Sequence, residues 1–148
     1  MKRGFTFLEI LIVLGVLAIL ATIVTAALSN FRTHALLADV KNRALSELNL
    51  AKSQTLGSEG NAQYGVHFET LKIVRFKGAA YSASDPGNAI YELPAGVEIS
   101  SVSLGGPAEV IFERLTGRAL ASGLVTVSLS SDANASSTIA IFSSGLAQ

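Results

Sequence analysis

The sequence predicts an α+β protein in which one long N-terminal helix packs on an antiparallel β-sheet or sandwich head. Three observations carry this expectation: an uncharged apolar run near the N-terminus, a helical repeat that continues from it to residue 56, and strand-like alternation after Gly57. Chain averages hide the division. Of 148 residues, 49% are hydrophobic and 15% charged, against roughly 25% charged in a typical soluble domain.

The first element is the apolar run. Between Arg3 and Arg32 the only charged residue is Glu9, and Ile10 to Leu28 holds neither a charge nor a proline. As a helix rising 1.5 Å per residue this stretch covers roughly 28 Å, close to the ~30 Å hydrocarbon core of a bilayer. A soluble protein buries a helix that is apolar on every side only inside a large core, and the remaining chain is too short to wrap it. The run therefore reads as a membrane-spanning helix. Lys2 and Arg3 ahead of it place the N-terminus in the cytoplasm and the bulk of the chain outside. A secreted protein with an ordinary signal peptide, leaving through small residues such as Val24-Thr25-Ala26, is the alternative. Glu9 argues against it, because a carboxylate in an apolar run costs on the order of 2.5 to 3.5 kcal/mol at mid-membrane and less near the interface.

The second element continues the first. Leu37, Val40, Ala44, Leu48, Ala51 and Thr55 recur at spacings of three and four, while Arg32, Asp39, Lys41, Arg43, Glu47 and Lys52 are assigned to the opposite face. With no Pro or Gly between the segments, one helix is expected from about Phe5 to Leu56, roughly 78 Å long. Gly57 is expected in the left-handed cap position, with a loop through Gly60.

The remaining elements are short strands bounded by turn residues: 63–69, 71–76, 90–93, 97–104, 108–114, 124–129 and 138–142. Inward candidates are Val110 with Phe112, or Ile111, followed by Val125, Val127, Leu129, Ile139 and Ile141. Residues 77–89 read as a surface loop. Packing the Leu37 to Leu48 face on the sheet supplies the core that the strands alone would lack.

Charge is segregated although eleven basic and eleven acidic side chains cancel: residues 1–28 carry +1, residues 29–56 carry +2 and residues 57–148 carry −3. The absence of cysteine excludes disulfides, thiolate metal sites and a cysteine nucleophile. No nucleotide-binding, metalloprotease or serine-hydrolase motif occurs, so no enzyme, cofactor or metal is expected. His67 reads as a half-exposed structural residue, His34 as a solvated or interfacial helix residue, and Glu109 and Glu113 as a solvated face. Asp85 and Asn88 are too few for a calcium site.

Lys-Arg-Gly-Phe-Thr-Phe-Leu-Glu at positions 2–9, followed at once by the apolar run, resembles the prepilin leader and N-methylation motif of type IV pilins and type II secretion pseudopilins. A basic leader ending in Gly4, a Phe5-Thr6 start and Glu9 four residues after Phe5 coincide. The resemblance implies a pilin-like fold divided into a cleaved leader (1–4), a transmembrane and assembly half of the helix (5–28), an amphipathic half (29–56) and an extracytoplasmic β head (57–148). It implies cleavage between Gly4 and Phe5 by prepilin peptidase, N-methylation of Phe5, and pairing of Glu9 with the N-terminal amine of a neighbouring subunit. Gly4 leaves the scissile carbonyl open to close approach, and Lys2 and Arg3 hold the leader in the cytoplasm. An intrahelical pair between Glu9 and its own N-terminus is the competing arrangement.

The function implied is a minor structural subunit of a type II secretion pseudopilus or type IV pilus. Its partners would be prepilin peptidase, other pilin or pseudopilin subunits and the cytoplasmic membrane. It would be held in the bacterial inner membrane as a single-pass protein with a cytoplasmic N-terminus before entering the filament. Residues 64–142, including Glu92-Leu93-Pro94-Ala95-Gly96-Val97, loosely resemble the minor pseudopilin H group. The chain departs from many pilins in lacking a proline near Ala26 and a C-terminal disulfide loop. A DNA-binding minor pilin for natural transformation is the alternative function, with Arg114 and Arg118 as candidate contacts. The acidic head and the lack of interleaved aromatic residues argue against nucleic acid as a partner.

Overall fold

The computed structural model describes residues 6–148, without the side chains of residues 23–30 and 33. The chain forms two compact units, Met1–His34 and Ala35–Gln148. Helix α1 (Phe7–Leu56) begins in the first and ends in the second.

In the second unit α1 has the buried stripe that its spacing predicts, since Leu37, Val40, Ala44, Leu48, Ala51 and Thr55 are all buried. Fully burying a Leu or Val contributes about 1.5–3 kcal/mol each. The strands are β1 (Tyr64–Glu69), β2 (Lys72–Lys77), β3 (Ala89–Glu92), β4 (Val97–Ser103), β5 (Glu109–Ile111), β6 (Gly123–Leu129) and β7 (Asp132–Ile141). They form two antiparallel sheets, ordered β3-β2-β1-β5 and β4-β6-β7. Both sheets and the helix stripe enclose one core, to which β1 gives Val66 and Phe68, β4 gives Val97 and Ile99, β6 gives Val125 and Val127, and β7 gives Ile139 and Ile141. Among the inward candidates, Val110, Ile111 and Phe112 are all buried, and Leu129 is partly so.

Four expectations need correction. Glu47, placed on the polar face by the helical repeat, is buried at 3% exposure. Arg75 Nε donates to its carboxylate at 2.9 Å, and Arg43 pairs with it at 2.8 Å. The second Arg75 nitrogen reaches Gln54 Oε1 at 2.6 Å, so one β2 side chain ties two turns of α1 to the sheet. Gly57 is not the left-handed residue: its N–H still donates to Ser53 O at 2.8 Å, and the reversal falls on Ser58, at φ 50°. A 3-10 turn, Glu59–Asn61, then leads to β1, whose Tyr64 N–H donates to the buried Thr55 hydroxyl at 2.9 Å.

The third correction is that β5 ends at Ile111, because its pairing with β1 covers only Gly65 to His67 and the chain then turns through residues 113–118. The fourth is that β7 starts at Asp132 rather than at residue 138. Its polar first half shows no apolar alternation and is held by main-chain pairing with β6. On the outer edge of β7, Ala140 and Gln148 exchange N–H to carbonyl bonds of 2.8 and 3.0 Å, so the C-terminal residues cover only the end of that strand.

The register pairs Gly65 with Phe76 and His67 with Val74. Because Val66, Phe68 and Ile73 face the core, these four residues lie on the outer face of the four-stranded sheet. A Cβ at Gly65 would sit 2.6 Å from Phe76 Cζ and 2.8 Å from Val110 O. Glycine is required there so that Phe76 can lie across β1.

Candidate functional site

The residues singled out at the N-terminus fall into two groups. Lys2, Arg3, Gly4 and Phe5 lie outside the described residues. Thr6 and Glu9 are described, and they build the start of α1 together: Glu9 N–H donates to Thr6 Oγ1 at 3.2 Å and Ile10 N–H donates to Thr6 O at 3.3 Å. Thr6 thus caps the helix, satisfying one of its unpaired first-turn donors. Glu9 in the first turn complements the partial positive charge of the helix N-terminus.

Around Glu9 the helix is apolar and open on every side. Phe7 is 81% exposed, and Leu8, Ile10, Leu11, Ile12, Val13, Leu14, Val16, Leu17, Ile19 and Leu20 are each at least half exposed. Ile10, Val13 and Leu14 line a shallow depression beside the carboxylate. Among the described residues no helix is long and apolar enough to cross a membrane. The surface thus sets one carboxylate among contiguous exposed aliphatic side chains.

A polar cluster occupies the outer face of the four-stranded sheet. His67 stacks on Tyr81 with ring centroids 4.0 Å apart. The Tyr81 hydroxyl donates to Glu69 Oε1 at 3.1 Å, and its backbone N–H donates to Glu109 Oε2 at 3.2 Å. Lys72 pairs with Glu69 at 3.2 Å. Burial, followed by the hydrogen bond to Glu69 and the charge of that carboxylate, pushes the Tyr81 phenol above its ordinary range, with Lys72 opposing. His67 Nδ1 is buried 3.7 Å from Glu109 Oε2 and has no hydrogen-bond partner among the described residues.

Glu109 is therefore not the solvated residue expected from its alternating strand, since its side chain is only 15% exposed. Glu113 is exposed and accepts the Thr116 hydroxyl at 2.7 Å. Tyr81 was not legible as a site residue, and its one signal is that it stands as a lone aromatic in a Gly, Ala and Ser-rich stretch.

Elsewhere the candidate residues are engaged locally. Arg114 donates to Asn61 O at 3.3 Å and to Asn61 Oδ1 at 2.7 Å, which leaves its guanidinium committed to the loop after α1. Arg118 is exposed, and its backbone N–H donates to Thr116 Oγ1 at 3.2 Å. His34 is an exposed residue of α1. Asp85 accepts the Gly87 N–H at 2.8 Å and Asn88 donates to Ser82 O at 2.8 Å, so both close their own loop. Among the described residues no three His, Asp or Glu side chains are grouped to hold a metal ion.

Comparison with known proteins bears on the N-terminal group. No curated protein and no solved structure matches the chain. Residues 1–25 match the family model described as the Prokaryotic N-terminal methylation motif. The match takes in Gly4, Phe5, Thr6 and Glu9, and it supports a pilin-type subunit that is processed by prepilin peptidase and assembled with other pilin subunits.

Proposed function

We propose that the chain is a pilin-like structural subunit, minor in its filament, of a type II secretion pseudopilus or a type IV pilus. The observation that carries this reading is the methylation motif over residues 1–25, within which α1 begins and the aliphatic side chains around Glu9 are exposed on all sides. In this reading residues 1–4 are the leader, and prepilin peptidase cuts between Gly4 and Phe5 with Lys2 and Arg3 on the cytoplasmic side. The new amine of Phe5 is methylated. Residues 5–28 hold the subunit in the inner membrane and then pack it into the filament, residues 29–56 continue the helix into the head, and residues 57–148 form the extracytoplasmic head, more like the minor pseudopilin H group than like major pilins.

Glu9 has a defined physical task in this scheme. An unpaired carboxylate in an apolar bundle costs several kcal/mol, and docking against the N-terminal amine of a neighbouring subunit removes both charges at one axial position only. The pair therefore sets register. Mass analysis of the N-terminus tests the processing step: N-methyl-Phe5 is expected, while a start near Ala27 would replace this reading with an ordinary secreted protein. Glu9→Ala should block entry into filaments while the head stays folded. Normal filament incorporation of that variant would remove the docking role.

A further inference from the structure

Between β2 and β3 the chain leaves the four-stranded sheet and crosses its outer face. Residues 79, 80 and 82–87 are exposed, and their hydrogen bonds stay within the loop, as in Asp85 to Gly87 and Asn88 to Ser82. Tyr81 is different. Its ring lies on His67 and, at 5.6 Å and tilted, on Phe76, its hydroxyl reaches Glu69, and its N–H reaches Glu109. Among the described residues of 79–87, it alone makes hydrogen bonds or ring contacts with the sheet.

The outer face that this segment crosses carries a second apolar cluster, of which Phe76 touches Tyr81. Val74, Phe76 and Ile111 are at most 9% exposed, yet none belongs to the core shared by α1 and the two sheets. The ladder around the segment is complete without it: β2 pairs with β3 only from Lys72 to Arg75, and Gly78 N–H is held by Gln63 O at 2.8 Å where the segment begins. Lifting residues 79–87 would break no strand pairing.

We infer that residues 79–87 form a releasable strap, latched at Tyr81, over an apolar outer face of the four-stranded sheet. Closed, the strap covers Phe76, Val74 and Ile111. Released, it presents them as an apolar floor edged by Glu69, Glu109 and His67. The inference does not depend on the filament reading.

Limited elastase digestion of the full chain in detergent, with cut sites mapped by mass spectrometry, tests this, because Ala79, Ala80 and Ala83 place small-residue cleavage sites inside the strap. Tyr81→Ala should speed cleavage within the strap at least tenfold while amide exchange in β1 and β2 changes less than twofold. Tyr81→Phe keeps the ring and should fall between. Unchanged strap cleavage in Tyr81→Ala would show that other contacts hold the segment and would overturn the latch. So would β1 and β2 exchange rising by the same factor as cleavage, or failure of that variant to fold, since either makes Tyr81 part of the sheet's own stability.

Discussion

The two parts of α1 use similar aliphatic residues in opposite ways. From Leu37 to Thr55 the helix has one buried stripe, and polar residues fill most of the rest. From Phe7 to Leu20 it has no stripe, and each large apolar side chain is at least half exposed. The second part is finished by its own chain, whose strands supply the other half of the core. The described residues of the first bury none of its large apolar side chains, and in the proposed filament a neighbouring subunit supplies both their cover and the amine that meets Glu9. The same helix is thus a folding element at one end and, in the proposed filament, an assembly element at the other.

Several substitutions would sharpen or break this contrast. The largest effect is expected at Leu48, whose truncation to alanine should lower the stability of the head by about 3 kcal/mol through lost burial and the cavity left behind. Denaturant unfolding of the full chain in detergent measures it. Leu17→Ala in the same assay should leave the head unchanged, and a comparable loss there would break the contrast.

Glu47→Gln comes next, at about 2 kcal/mol, because the Arg75 guanidinium loses its charged acceptor beneath the helix. A neutral result would mean that the pair only replaces equivalent hydration. Thr55→Val should cost about 1 kcal/mol by leaving the Tyr64 N–H without its acceptor. The smallest effect at neutral pH belongs to Tyr81. Its phenol is raised above the ordinary value, so its contribution to stability is intact below about pH 10. It is lost as pH climbs through the raised folded value. Absorbance near 295 nm should show Tyr81 ionising above the ordinary phenol range, and Tyr81→Phe should remove that step.

What could be read in advance followed from how local each signal was. The α1 stripe lies in one stretch of chain with one period, and all six of its positions are buried. The N-terminal motif is likewise contiguous. Glu47 could not be assigned from its neighbours, because its decisive partner, Arg75, lies on β2 and meets it only after the sheet has formed. The first half of β7 carries no such signal for a different reason: Asp132 to Ser137 includes few apolar side chains, and main-chain pairing with β6 supplies the order. Tyr81 combines both difficulties, being a single residue in a turn-rich segment whose contacts come from β1, β2 and β5.

The pairing of Gln148 with Ala140 has a practical side. Because residues 146–148 run antiparallel to β7, an affinity tag joined directly after Gln148 would be directed past Ile139 and Thr138 along the part of that strand that no described residue covers, where it would meet a ready line of main-chain donors and acceptors. A tag of extended, β-prone residues placed there would be drawn in as an additional strand and would mask the polar rim of the smaller sheet. A proline-interrupted or glycine-rich spacer after Gln148 would let the tag leave without altering the surface it was meant to report on.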